Sequence, residues 1–193
     1  MTRPQNTREK IERAAIRLIA ARGIDAVSMR DIAGEVGVTE AALYRHFANK
    51  NALVWDIFSA HYDAFAHELA ALHGPQKTLR AKLAAMISAC CEFFDRDRDL
   101  FTFLLLAQHI QRLAPKNYQA ALPAMLNDLL AAAVKRGEIP TQNTEITTAM
   151  VMGMVLQTAL FCLYQKPRPG KMQPHAAALS NACWQVIKNH ERK

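Results

Sequence analysis

The chain has 193 residues, 51% of them hydrophobic, with only seven glycines and eight prolines and a formal charge of +7. That length supports a sizeable core, and the scarcity of chain breakers with no alternating strand run and no internal repeat argues against a sheet-rich or repeat fold. The charge is uneven: residues 1–55 hold nine Lys and Arg against six Asp and Glu, residues 56–165 nine against ten, and residues 166–193 six against one, so both ends are basic, and the basic head suits a polyanionic partner.

The N-terminal segment MTRPQNTREK lacks the apolar stretch of a secretory signal, which leads us to expect a reducing, cytoplasmic setting. The first helix is expected over Thr7–Arg22. Thr7 caps it, Ile11, Ala14, Ala15, Leu18 and Ile19 form one face, and Gly23 stops it. Its other face carries Arg8, Lys10, Arg13, Arg17 and Arg22, and Arg3 and Arg8 are weak candidates for phosphate contact.

The segment from Ser28 to Leu53 is the most informative. Ser28 can cap a short helix whose apolar positions are Met29, Ile32, Ala33 and Val36, and Gly37 is the natural reversal point after it. Thr39 can cap a second helix in which Ala42, Leu43 and Phe47 form the buried side. Glu40, Ala41, Tyr44, Arg45 and His46 are left to face outward, and Asn49 and Lys50 open a third helix. Two short helices about a tight turn are a unit that fits the major groove of B-DNA, with flanking basic and hydroxyl groups on phosphates.

After Lys50 the apolar pattern continues through Leu53, Ile57, Phe58, Tyr62, Phe65 and Leu69 to Leu72, a helix long enough to couple this head to the rest of the chain. A helix over Thr78–Asp95 carries the stripe Leu79, Leu83, Met86, Ile87, Cys90 and Phe94, and Leu100 to Leu106 is apolar on every side and so must be enclosed. Tyr118–Arg136 is the next helix, closed by Gly137. Ile146–Tyr164 is 19 residues without a charge, which raises the possibility of a membrane span. Its threonines, Gly153 and Gln157 and the lack of flanking aromatic belts favour instead a helix shared between the core and a second subunit, with no membrane partner. A last amphipathic helix covers His175–Asn189.

From Asn6 to Phe58 the chain resembles the N-terminal domain of the TetR family of bacterial transcriptional regulators. The matching positions are Ile11, Ala14, Ala15 and Leu18 before Gly23, then Ser28, Arg30, Ile32 and Ala33, Gly37 and Val38, Leu43, Tyr44, His46 and Phe47, then Lys50 and Leu53. The resemblance implies an all-α protein of about nine helices: a helix-turn-helix DNA-binding domain over 1–54, joined by a long helix to a larger ligand-binding and dimerisation domain over 55–193. It implies a homodimer through the last two helices that sets two heads on a near-palindromic operator about 34 Å apart, most simply as a repressor. By the same resemblance Arg30, Thr39, Glu40, Ala41, Ala42 and Tyr44 face bases or adjoining backbone, while Ser28, Arg45, His46 and Lys50 hold phosphate. Arg30 has the fork that reaches guanine O6 and N7 together, and Glu40 could accept from cytosine N4.

The resemblance also implies a small apolar or amphipathic ligand among the later helices. Met86, Phe94, Phe101, Phe103, Met125, Met150 and Met154 are the expected walls, because Met and Phe make adaptable apolar surfaces, and Gln108, His109 and Gln157 are polar groups in apolar runs. No metal or cofactor is expected. His61 and His67 lie on different faces of their helix, and Cys90, Cys91, Cys162 and Cys183 show no ligand-type spacing. With no GxSxG, HExxH or phosphate-binding glycine loop, an enzyme is disfavoured, and the remaining alternative is a helical adaptor docking protein through Tyr44 and Phe47.

Overall fold

The structure is a computed structural model that describes residues 7–73, 76–107, 121–165 and 170–189. Among these the regular structure is entirely helical: α1 (Thr7–Arg22), α2 (Met29–Val36), α3 (Glu40–Tyr44), α4 (Lys50–His73), α5 (Leu79–Arg96), α6 (Arg98–Ala107), α7 (Ala121–Lys135), α8 (Thr144–Leu163) and α9 (Ala176–Asn189), with a 3-10 turn at Gln173–His175. The predicted helix from Tyr118 begins in part outside the described residues, as do Arg3, Gln108 and His109.

The chain forms two compact units. Among the described residues the first comprises 7–62 and 98–107, and the second 63–97 and everything from 121 onward. Two sequence expectations change here. The division falls within α4 at Tyr62, eight residues beyond the expected 54/55 boundary, and α6 joins the head unit by packing on α1. The physical reason is the all-round apolarity of α6. Phe101, Phe103, Leu104 and Leu105 are all buried, and α1 supplies an apolar face to receive them.

In the head unit α1 packs on α2 and α2 on α3, around Ile11, Ile19, Ile32, Leu43, Leu53, Ile57 and Phe58, each almost fully buried. In the second unit α5 packs on α9, α7 on α8 and α8 on α9. Phe65, in the second half of α4, meets Phe93 of α5 with ring centroids 4.7 Å apart. Polar ties hold the helix ends. Asp95 accepts from the backbone N–H of Met172 (2.9 Å) and of Gln173 (3.1 Å), opening the turn before α9. Glu138 accepts from the first N–H of α5, at Leu79. Its carboxyl lies below the usual range: burial opposes this, but the Arg136 guanidinium and the Leu79 N–H outweigh it.

Candidate functional site

The turn between α2 and α3 is built from local chemistry. Ser28 accepts from the Asp31 N–H (3.1 Å), while Asp31 accepts in return from the Ser28 N–H (2.8 Å) and from its hydroxyl, a reciprocal capping box. Gly37 ends α2 at φ 75° and ψ 33°, and Val38 N–H reaches back to the Ala33 carbonyl at 3.0 Å. This left-handed reversal is the one that glycine adopts without strain. Thr39 then caps α3 by accepting from the Ala42 N–H at 3.2 Å.

α3 is shorter than the sequence suggested. It ends at Tyr44, and Arg45 and His46 lie in a tightened last turn in which both His46 and Phe47 donate to the Leu43 carbonyl. Leu43 and Phe47 are buried and fix the helix from beneath. Thr39, Ala41, Tyr44, Arg45 and His46 are exposed and Glu40 and Ala42 half-buried, so the predicted reading face is presented to solvent in one continuous stretch. Arg30 projects from the second position of α2, its side chain 86% exposed, with Nε 3.9 Å from a Glu40 carboxylate oxygen. These two groups, predicted as separate base readers, therefore share one patch.

Three cations of the basic head are engaged by groups of the head itself. Lys50 Nζ donates to the Ile24 carbonyl at 2.9 Å, bracing the link between α1 and α2 from the start of α4. Arg17 pairs with Glu35 of α2. Arg8, a weak phosphate candidate, engages Glu12, Asp56 and the Phe47 ring. Sequence reasoning missed these roles because, Glu12 apart, the partners lie on other elements of the chain, Glu35 on α2, Asp56 on α4 and Ile24 in the link after α1.

The second unit contains a cavity of about 100 Å³. Its wall is apolar throughout: Phe65 and Leu69 of α4, Leu83, Met86, Ile87 and Cys90 of α5, Leu122 and Leu126 of α7, and Val151, Met152, Val155 and Leu156 of α8. Of the expected lining residues that are described, only Met86 takes part. Phe101 and Phe103 belong to the head unit, Phe94 is fully buried away from the wall, and Met125 is half-buried beside it in sequence but not on it. On α8 the phase is the reverse of that expected. Met150 and Gln157 are exposed and Met154 half-buried, because the helix turns Val151 and Val155 inward. The signal that could have found the wall was the four-residue spacing of Phe65 with Leu69, Leu122 with Leu126, and Val151 with Val155.

α8 is long and apolar enough to cross a membrane by length and composition. Its inward side packs on α7 and α9, and its outward side is a stripe of Ile146, Met150, Gly153, Gln157 and Phe161 continued by Tyr164. Phe161 and Tyr164 are 69% and 70% exposed, a large apolar area for a surface. Among the described residues no cluster of three or more His, Cys, Asp or Glu is placed to hold a metal. Burial pushes the Cys90 thiol up to about 12 and those of Cys91 and Cys183 to about 11.

Residues 11–57, the segment that contains both capped helices and the turn, match the model of the bacterial regulatory proteins of the tetR family. The head is thus similar to that of the TetR family. The chain is 42% identical over 59 residues to a putative mycofactocin biosynthesis transcriptional regulator, MftR, of Mycobacterium tuberculosis, a match covering 31% of this chain and 30% of that protein. The chain spans about a third of the length of the curated relatives it matches. Over nearly its whole length the fold is similar to two solved structures. One is the fatty acid degradation regulator FadR from Bacillus halodurans (TM-score 0.72, 16% identity, 99% of each chain). The other is FadR from Bacillus subtilis in complex with stearoyl-CoA (TM-score 0.72, 19% identity, 95% of this chain and 99% of that one).

Proposed function

We propose that this protein is a sequence-specific DNA-binding transcriptional regulator. In this reading it works in the cytoplasm as a homodimer and is a repressor released from a near-palindromic operator by a ligand with an apolar portion. The observation that carries the reading is the exposed Thr39–Tyr44 face, held by a capped α2–Gly37–α3 turn in a segment that matches the TetR family model. Such a face enters the major groove with its leading residues nearest the bases.

The solvent-facing stripe of α8 supports the dimer. Exposed apolar side chains at Ile146, Met150, Phe161 and Tyr164, with the exposed small residues Ala178 and Ala182 on the neighbouring α9, offer apolar surface that a twofold-related copy can cover. The cavity supports the ligand. A wall without a polar side chain suits a hydrocarbon segment, whose polar end must lie elsewhere, and the stearoyl-CoA complex of a protein of similar fold is consistent with that class. At about 100 Å³ the cavity is well below the size of most ligand sites, roughly 300 Å³ or more, so entry of a chain requires side chains such as Met86 and Met152 to move.

The test is selection of bound duplexes from a random pool. A two-half-site consensus is expected, and Arg30→Ala should relax preference at one base position per half-site at a cost of about 1–3 kcal/mol. His46→Ala should instead weaken binding to all sequences alike and lower the salt slope by about one. A pool that returns no preference would overturn the regulator reading.

A further inference from the structure

α3 has only five residues, too few to hold a helical conformation or an orientation by itself. Its leading end is capped by Thr39, and its trailing end is fixed by Leu43 and by Phe47, just beyond its last turn. The Arg8 guanidinium lies 5.1 Å from the centroid of the Phe47 ring, over its face. The same group donates through Nε to Glu12 Oε1 of α1 at 2.9 Å and through Nη2 to Asp56 Oδ2 of α4 at 3.3 Å. One planar cation thus joins the beginning of α1, the first half of α4 and the residue that anchors the end of the reading helix. We infer that Arg8 is a positioning residue for α3: it sets the angle of the DNA-reading face through Phe47, and its charge is held by Glu12 and Asp56 instead of by phosphate.

This inference rests on the DNA-binding reading. It depends on the shape of the guanidinium as well as its charge, because only a flat, forked cation serves two carboxylates and an aromatic face together. Lysine keeps the charge and loses that geometry. A phosphate contact has the opposite dependence, since lysine serves a phosphate well as a point charge.

The experiment uses the full chain and a fluorescent duplex selected by the wild-type protein, with a scrambled duplex as reference, well below the melting temperature of every variant. Arg8→Lys is expected to weaken binding to the selected duplex about five- to tenfold, to reduce its preference over the scrambled one, and to leave the salt slope unchanged. Asp56→Ala should lower the preference in the same way, and the double variant should be no worse than the poorer single one, because both remove one clamp. If Arg8→Lys binds like wild type while Arg8→Gln lowers the salt slope by about one, Arg8 is a phosphate ligand and the inference fails. It also fails if these variants lose melting temperature alone, with affinity and preference unchanged. Wild-type protein with no preference for any duplex would overturn the regulator reading, and this inference with it.

Discussion

Phe161 offers the sharpest test of how the second unit is completed. Fully burying a phenylalanine contributes about 1.5–3 kcal/mol, and Phe161 is 69% exposed in the single chain, so roughly two-thirds of that gain is still available to a partner. A twofold interface uses the residue twice. Phe161→Ala should therefore cost about 2–4 kcal/mol per dimer, which raises the dissociation constant by roughly 30- to 1,000-fold. Because the side chain points away from the core, the isolated fold should keep its helical content and lose little else. Sedimentation equilibrium across nanomolar to micromolar concentrations reads the constant, and far-ultraviolet circular dichroism reads the fold. Wild-type protein that is monomeric at micromolar concentration, or a variant with an unchanged constant, would refute the assignment of this stripe to a twofold contact. A variant that unfolds would show that Phe161 serves the core, contrary to its exposure.

The capping box makes stability pH-dependent. The Ser28 hydroxyl and N–H hold the Asp31 carboxyl below its ordinary value of 3.8, so its contribution is complete above that pH and is lost as pH falls through the depressed folded value. Asp31→Asn should flatten the acid limb of a urea-stability profile, and Ser28→Ala should lower stability at pH 7 by about 1 kcal/mol. Gly37→Ala meets no neighbouring atom within 4 Å of the added Cβ, but it must hold φ at 75°, so thermal unfolding should report a loss of about 1 kcal/mol from backbone strain alone. With burial raising Cys90 to about 12 and Cys91 and Cys183 to about 11, these thiols stay protonated at neutral pH. Iodoacetamide at pH 7.5 should modify them far more slowly in the native protein than in urea, and comparable rates would show that the core around α5 and α9 is open.

Where a feature depends on a few neighbouring residues, it could be read in advance. Ser28 with Asp31, Gly37, Thr39 and Gly137 act within three or four positions of themselves, so the caps and reversals of the head and the stop after α7 follow from their identities alone. The alternation of buried Leu43 and Phe47 with exposed Tyr44, Arg45 and His46 is likewise local, and it defined the face that we propose reads DNA. Tertiary packing decided the rest. An all-round apolar helix such as α6 carries no stripe to say which neighbour will receive it, and only the packing assigned it to the head. α8 is apolar on nearly every side, so its sequence could not say that Val151 and Val155 would face the cavity while Met150 and Phe161 faced out. Charge alone could not separate Arg8, Arg17 and Lys50 from the other cations of the head. Apart from Glu12, four residues from Arg8, their carboxylate and carbonyl partners lie 18 to 48 residues away, and that separation is closed only by the fold.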